Sequence, residues 1–276
     1  MEVTLVSDPL CCWSWALEPH WRRVRMQYGA RVRWRHRLGG MLPSWDAFAD
    51  PLNDVAAAAH MGPYWMHVRR EAGVPLAAGL WHADPPASSH PASLAVHAAF
   101  LQGEAAGERL LRRVREAAML EALNVARWAV LRELARDVGL DADELERAVQ
   151  DGTAAARFED DLREVRYLRV GRFPSVLLGG VGVRRMLVTG FRPASLLAAA
   201  VAHALGEEAP ALEGVEPMAY LTHWGSATRW ELATACALDP LDVVRRLDVA
   251  MADGTLEVHE RPAAGDVVFR VRAGAA

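Results

Sequence analysis

Two periods of hydrophobic and polar residues alternate at the start of the chain. Residues 2–6 are rich in strand-forming side chains and end at the breaker cluster Ser7-Asp8-Pro9, after which helical spacing runs from Ser14 to Tyr28 and stops at Gly29. Residues 31–38 alternate with period two, which is typical of a half-buried strand. One face of that strand carries Val32, Trp34, His36 and Leu38. The pattern predicts a strand, a helix and a second strand.

Helical spacing dominates the next part of the chain, residues 44–167, which we call the helical insertion. The clearest predicted helices are 91–101, 107–120, 124–138 and 141–150. Strand character returns at 175–178 and 183–188, on either side of a glycine-rich turn at 179–182, and a helix over 193–205 follows. The two ends of this region can therefore build one mixed sheet, with the helices between them packed as a lid.

The last part of the chain has its own pattern. Residues 207–216 are acidic, contain Pro and Gly, and are interpreted as a linker. Beyond them we predict helices over 228–236 and 239–252 and strands over 255–260 and 267–271, an order that resembles a winged helix. The predicted fold class is thus α/β. It divides into a mixed-sheet domain (1–43 and 168–206), the helical insertion (44–167), the linker (207–216) and a winged-helix-like C-terminal module (217–276).

Composition narrows the class of partner. The chain has 276 residues, 52% of them hydrophobic, and a net charge of −4, which does not favour nucleic acid. From Glu216 onward six arginines stand against nine acidic residues, the wrong sign for phosphate binding. We find no signal peptide and no apolar stretch long enough for a membrane span, so we expect a cytoplasmic protein. Three cysteines do not make a disulfide scaffold.

The candidate chemistry lies in the segment that follows the first strand. Cys11 falls where a strand gives way to a helix, and the free N–H groups and positive dipole end of a helix favour a thiolate. Ser14, one turn further on, could donate its hydroxyl to the Cys11 sulfur. We therefore expect Cys11 to be an acidified nucleophile. The candidate catalytic residues are Cys11, Ser14 and Cys12, although the Cα atoms of the adjacent Cys11 and Cys12 are too close for an ordinary disulfide.

The cysteines and the arginine pairs also have a purely structural interpretation. Cys11 and Cys12 could be small hydrophobic fillers, as most free cysteines are, and Cys236 has an apolar helical setting typical of a core residue. The arginine pairs 22–23, 69–70 and 112–113 are interpreted as solvated helix faces. We expect no metal site, because the cysteines lack ligand spacing and the histidines are scattered.

A second element of the candidate site is the proline that opens a later strand. Pro174 follows Phe173, and a cis bond between them would turn the Phe173 backbone toward the sulfur and offer an edge to an extended peptide. Trp13 and Trp15 flank the thiol and are expected to shape a hydrophobic peptide site. Phe173, Pro174, Trp13 and Trp15 are therefore the predicted substrate-binding residues.

These features together resemble the DsbA-like branch of the thioredoxin superfamily over about residues 1–205. Asp8-Pro9-Leu10-Cys11 followed by 15–19 (Trp-Ala-Leu-Glu-Pro), and also 38–40 and 84–89, are similar to the cytoplasmic group that includes ClpXP adaptors of the Spx-degradation type. The resemblance implies that Cys11 is the attacking cysteine and that Pro174 is the cis-proline. The chain departs from the family at Ser14, which occupies the position of the second catalytic cysteine.

Three functions remain open from the sequence. The first is a monothiol thiol-disulfide oxidoreductase acting on protein or peptide thiols, with Cys11 as nucleophile, no resident cofactor, and glutathione as a candidate co-substrate. The second is a non-catalytic adaptor that binds a protein in the same groove. The third, ranked lowest, is a glutathione-dependent transferase or isomerase of the kappa type, because such sites generally have Ser where this chain has Cys11. A serine cannot close a dithiol cycle, so the departure at Ser14 weighs on the first function.

Overall fold

The structure is a computed structural model that describes residues 1–180, 183–209, 211–212 and 214–272. The described residues form seven strands and twelve α-helices. The strands are β1 (Glu2–Ser7), β2 (Arg33–Leu38), β3 (Ser175–Gly180), β4 (Val183–Thr189), β5 (Ser226–Thr228), β6 (Leu256–Arg261) and β7 (Asp266–Val271). The helices are α1 (Cys12–Tyr28), α2 (Ala58–Ala72), α3 (Leu80–Ala83), α4 (His90–Leu101), α5 (Glu104–Glu121), α6 (Trp128–Asp137), α7 (Ala142–Gln150), α8 (Thr153–Tyr167), α9 (Ala194–Leu205), α10 (Pro217–Trp224), α11 (Arg229–Cys236) and α12 (Pro240–Ala252).

The main sheet is assembled from both ends of the first two hundred residues. Its order is β2-β1-β3-β4, with β1 parallel to β2 and antiparallel to β3. Leu5 therefore pairs with His36 on one side and with Val176 on the other. The predicted mixed sheet is confirmed, and it places the ends of β1 and β2 and the start of β3 at one edge. The turn predicted at 179–182 lies partly outside the described residues.

Helices α1 and α9 cover one face of this sheet. Leu5 and Leu178 from the strands pack there against Trp21 of α1 and Leu197 of α9, all of them buried. The Tyr28 hydroxyl at the end of α1 donates a hydrogen bond of 2.9 Å to the carbonyl of Ala198. Helix α1 is therefore held along its whole length, which fixes the position of its N-terminus at the sheet edge.

The helical insertion has a core of its own that is continuous with the loop after β1. Trp65 of α2 and Trp81 of α3 meet edge to face at a ring-centroid distance of 5.3 Å. The insertion contains α2, α3 and α8 in addition to the helices that the spacing predicts most clearly. Among the described helices, none has both the length and the apolar character needed to cross a membrane.

The C-terminal module contains α10–α12 and a second sheet of order β5-β7-β6. This order of helix, strand, two helices and a two-strand hairpin is winged-helix-like. The predicted helices and strands of the module begin and end within one residue of the observed ones. Helix α10, with eight residues, and strand β5, with three, are not predicted, because a helical period needs a window of about 11 residues or more and a strand period about four. The proposed linker lies between α9 and α10.

The interpretation of the arginine pairs is wrong at two positions. Arg22 and Arg112 are 5% and 7% exposed, and both form ion pairs with Glu231 of the C-terminal module. The reason is that α11 packs over the faces of α1 and α5 that a two-layer domain would leave to water. Arg69 and Arg70 of the third pair are not buried.

Replacing a glycine by alanine adds a β-carbon. At two helical glycines, Gly107 and Gly62, this added atom would meet different surroundings. At Gly107 it would lie 2.2 Å from the Phe100 ring, whereas at Gly62 its nearest neighbour is the Ala78 carbonyl oxygen at 3.7 Å. We expect Gly107→Ala to destabilise the protein, because overpacking costs about 1–3 kcal/mol and exceeds the roughly 1 kcal/mol that alanine gains in a helix. Gly62→Ala is the matched control and should stabilise by about 0.5–1 kcal/mol. Urea unfolding measures both, and equal signs would contradict the packing argument.

Candidate functional site

Cys11 is the N-cap of α1. Its backbone is extended, its N–H donates to the Asp8 carbonyl at 3.2 Å, and its sulfur accepts the N–H of Ser14 at 3.4 Å. The turn from β1 into α1 therefore presents the sulfur at the positive end of a 17-residue helix, as the sequence predicts.

The Asp8 carboxylate ties this turn to two other segments. It accepts hydrogen bonds from the N–H of Leu10 at 2.9 Å, from the N–H of Met41 at 2.7 Å and from the Ser89 hydroxyl at 2.8 Å. Burial nevertheless raises the pKa of Asp8, against the lowering effect of these donors. From the sequence, Asp8 belongs to a breaker cluster and to the motif Asp8-Pro9-Leu10-Cys11, and none of these hydrogen-bond partners is predicted. Its one sequence signal is that Asp in a tight turn often accepts a backbone N–H two residues on.

The loop before β3 faces the same sulfur. The Phe173–Pro174 peptide bond is cis, and the Cys11 thiol donates to the Phe173 carbonyl oxygen at 3.6 Å. Gly39, after β2, makes room for the Phe173 ring, since a β-carbon there would lie 2.1 Å from it. Three chain segments that are distant in sequence thus meet at Cys11.

The ionisation of Cys11 is opposite to the expectation from its helix position. The residue is 5% exposed, and burial raises the pKa of its thiol. The N–H and hydroxyl of Ser14 and the charge of Arg115 lower this pKa, and the Asp8 charge raises it further. The Ser14 hydroxyl lowers the pKa of Cys11 because it lies close to the sulfur. It makes no hydrogen bond of standard geometry among the described residues. The expectation of an acidified thiol is therefore wrong, since the cost of desolvation exceeds what one sulfur-amide contact provides.

The other two cysteines are also free and buried. Burial raises the pKa of Cys12 well above its ordinary value, with the neighbouring Cys11 adding to the effect. Burial raises the pKa of Cys236 to about 11. Both are thiols at neutral pH, and the use of Cys12 in place of the missing second cysteine stays a prediction.

A cavity of about 1100 Å³ opens beside Cys11. Its walls come from the loop after β1, the start of the helical insertion, the loop before β3 and the end of β4. Most of the side chains that line it are apolar: Leu10, Cys11, Cys12, Trp13, Met41, Phe48, Leu52, Val55, Met61, Phe173 and Phe191. Trp13 is held in this wall by a 2.9 Å hydrogen bond to the Tyr64 hydroxyl and by contact with the Phe191 ring.

The predicted substrate-binding residues divide between cavity and core. Trp13 and Phe173 line the cavity, whereas Pro174, joined to Phe173 by the cis bond, is not among the lining residues. Trp15 does not line it: its side chain is 1% exposed, donates to the Pro75 carbonyl and lies under the Arg112 guanidinium. The expected binding role of Trp15 is wrong, because a residue two places further along a helix faces a different direction.

The sequence analysis did not single out Tyr64, Phe48 and Phe191, which complete the cavity. They come from three separate segments, and no local pattern in the sequence distinguishes them from ordinary core residues. Among the described residues, no group of His, Cys, Asp or Glu is arranged to hold a metal ion.

This geometry defines a protein of thioredoxin fold, with a cysteine at the first strand-to-helix turn opposite a cis-proline. The family model described as thioredoxin matches residues 5–195, and the chain belongs to that family. Its helical insertion lies between β2 and β3, as the resemblance to the DsbA-like branch implies.

The curated relatives and the solved structures that resemble this chain carry different kinds of name. The ClpXP adapter protein SpxH of Halalkalibacterium halodurans is 30% identical over 195 residues, which are 70% of this chain and 64% of that protein. The chain therefore spans less than two thirds of the relative's length.

Two solved structures share the fold. A putative protein disulfide isomerase from Nitrosomonas europaea superposes with a TM-score of 0.62 at 22% identity, over 74% of this chain and 97% of that one. The cytosolic disulfide reductase DsbM from Pseudomonas aeruginosa, determined with GSH, gives 0.53 at 24% identity, over 68% and 89%.

The raised pKa of Cys11 predicts its alkylation behaviour. Because only the thiolate reacts, the rate should be slow at neutral pH and keep rising past the pKa of an ordinary free cysteine. The raised pKa also means that the folded state holds this proton more tightly than the unfolded state, so stability should fall as pH rises above the unfolded value. Iodoacetamide modification of Cys12→Ser/Cys236→Ser protein, followed by mass spectrometry, measures the profile, with free glutathione as control. A midpoint at or below that of glutathione would contradict the prediction.

Proposed function

We propose that this protein is a protein-binding adaptor that holds an extended segment of a partner in the cavity beside Cys11. The observation that carries the proposal is the pairing of a large, mainly apolar cavity with a buried thiol whose pKa is raised. A thiol that stays protonated at neutral pH is a weak nucleophile, whereas an apolar cavity binds peptide side chains whatever the state of the sulfur.

The size and walls of the cavity suit a peptide. Its volume of about 1100 Å³ is at the upper end of pockets that enclose one small molecule, which run to about 1,000 Å³. Trp13, Phe48 and Phe191 offer aromatic surface for apolar side chains. The cavity wall also carries charges of both signs. Arg172 and Arg192 lie on the loops before β3 and after β4, and Asp50 lies at the start of the helical insertion. These charges can pair with charged groups of the bound peptide.

The absence of a second cysteine at position 14 also supports binding over turnover. In a dithiol cycle the second thiolate attacks the mixed disulfide and releases the product, and the Ser14 hydroxyl cannot do this. The adaptor name of two curated relatives agrees with this argument. The assignment to this chain remains a proposal because those relatives are matched over 64% and 56% of their length.

A second candidate is monothiol exchange with glutathione. Two observations favour it: the Cys11 sulfur lies in the cavity wall, and a disulfide reductase of the same fold was determined with GSH. In this step the Cys11 thiolate, having lost its proton to solvent, attacks one sulfur of glutathione disulfide. A Cys11–glutathione disulfide forms and the other glutathione leaves as a thiolate, so no further oxidant is needed.

A groove-filling variant tests the adaptor proposal. Gly171 lines the cavity and a β-carbon there would meet no atom within 4 Å, so Gly171→Trp should fill the cavity without disturbing the fold. Gly214→Trp is the control, because Gly214 is equally open but lies in the linker. Peptides selected from a random phage-displayed library on the wild type are then measured by fluorescence anisotropy. We expect Gly171→Trp to weaken binding by about tenfold or more, or 1.4 kcal/mol, while Gly214→Trp and Cys11→Ser bind like the wild type. Loss of all peptide binding in Cys11→Ser would reject the proposal. Unchanged peptide binding in Gly171→Trp would reject it as well.

The glutathione candidate has its own test. Cys12→Ser/Cys236→Ser protein is incubated with glutathione disulfide at pH 7 and pH 9 and analysed by intact mass. Because thiolate is the reacting form, the adduct should form faster at pH 9 and be absent from the triple variant that also carries Cys11→Ser. A protein that gains no adduct at pH 9 does not carry out monothiol exchange.

A further inference from the structure

Six buried charged side chains form a continuous cluster between α1, α5 and α11. Three are arginines and three are glutamates, and each is at most 7% exposed: Glu18, Arg22, Arg112, Arg115, Glu116 and Glu231. Five of them belong to the family-matched part of the chain, and Glu231 comes from the C-terminal module, beyond residue 195.

Glu231 closes the cluster from the side of the module. One carboxylate oxygen lies 2.9 Å from Nη1 of Arg22 and the other 2.7 Å from Nη2 of Arg112. The Tyr220 hydroxyl donates to it at 2.7 Å, and the Thr228 side chain caps the backbone N–H of the same residue. Its position is thus fixed by module residues, while its charge serves the arginines of the sheet domain and the helical insertion.

The cluster reaches the thiol turn through Arg115. Glu18 lies 3.1 Å from Nε of Arg22 and 2.8 Å from Nη1 of Arg115. Nη2 of Arg115 donates to the Ser7 hydroxyl at 2.7 Å. Ser7 is the last residue of β1 and immediately precedes Asp8, whose carbonyl accepts the N–H of Cys11. An unbroken chain of contacts therefore runs from the module to the turn that carries the thiol.

The charges of this cluster balance only when the module is docked. Without Glu231, Arg22 and Arg112 would each lose a partner and three buried arginines would share two glutamates. Such an imbalance is unfavourable in a buried setting, because an unpaired buried charge has given up its water without replacement. The module also brings a cation to the more exposed side of the cluster, since Arg270 of β7 lies 3.6 Å from Glu116 and its side chain is about one third exposed.

We propose that the C-terminal module is part of the thiol site: Glu231 sets the net charge of the buried cluster that includes Arg115 beneath the β1–α1 turn, and Arg115 is the positioning residue that supplies the positive charge facing Cys11. The module thereby controls how readily Cys11 ionises. This inference concerns the thiol itself and does not rest on the adaptor proposal.

The groups around Cys11 give Arg115 this place. The titratable and charged side chains that interact with the thiol are Asp8 after β1, Cys12 on α1, Tyr64 on α2 and Arg115 on α5. Among these, Arg115 carries the positive charge and Asp8 the negative one. Changing the net charge of the cluster around Arg115 therefore changes the electrostatic setting of the sulfur in a direction that can be stated in advance.

The pH profile of Cys11 alkylation in Cys12→Ser/Cys236→Ser protein separates charge from access. Its midpoint reports ionisation, and its plateau at high pH reports how easily iodoacetamide reaches the sulfur. Arg115→Met should move the midpoint up and slow the reaction about tenfold at pH 8, the effect of one unit of pKa. Arg115→Lys keeps the charge and should restore most of the rate. A residue that only filled space would, when replaced, expose the sulfur and speed the reaction.

Two module variants of opposite charge test the role of the module. Glu231→Gln removes a negative charge and should lower the midpoint, whereas Arg270→Gln removes a positive charge and should raise it by a smaller amount. If the substitutions only loosened the module, the midpoints of the two variants would move in the same direction. If Glu231→Gln does not fold, as judged by circular dichroism, Arg270→Gln at the more exposed position still carries the test.

The inference is overturned if Arg115→Met leaves the midpoint in place or lowers it. It is equally overturned if the two module variants move the midpoint in the same direction, or if the folded variants leave it unchanged. Alkylation needs no binding partner, so these outcomes are independent of the peptide-binding assay, and either proposal can fail while the other stands.

Discussion

The hydrogen bonds of the buried Asp8 carboxylate are the constraint on which the site depends. They join the turn after β1, the loop after β2 and the start of α4 through Leu10, Met41 and Ser89. A buried carboxylate without such donors would cost several kcal/mol, so the three segments are held together as a unit. Cys11, the cavity wall and the helical insertion all take their positions from this junction.

The same burial decides what the thiol can do. A helix N-terminus favours a thiolate, and the Cys11 sulfur does accept an amide from the first turn of α1. The sulfur is also shielded by the Phe173 loop and the wall of the cavity, and the loss of water outweighs the single amide contact. The result is a buried thiol with a raised pKa in the wall of the cavity.

The buried ionic cluster joins the C-terminal module to the rest of the chain. A winged-helix-like module is often associated with nucleic acid, yet this one is net negative and uses Glu231 to neutralise arginines of its own chain. Burying six charges is rarely the most stabilising choice, and removing Glu231 from the cluster would leave Arg22 and Arg112 each short of a buried partner. The module, the helical insertion and the sheet domain thus share one electrostatic junction.

The sequence by itself determined the local features of this protein. Periodicity predicts β1, α1, β2, β3, β4 and α9 within two residues of their observed ends at most positions, because strand and helix spacing are local properties. The placement of Cys11 at the strand-to-helix turn, and of Pro174 at the start of β3, follows from the same reasoning. Only the tertiary structure decided the burial of Trp15, the raised pKa of Cys11, the partners of Asp8 and the pairing of Arg22 and Arg112 with Glu231. These depend on which distant segments exclude water from a given side chain, and neither hydrophobic period nor residue type carries that information.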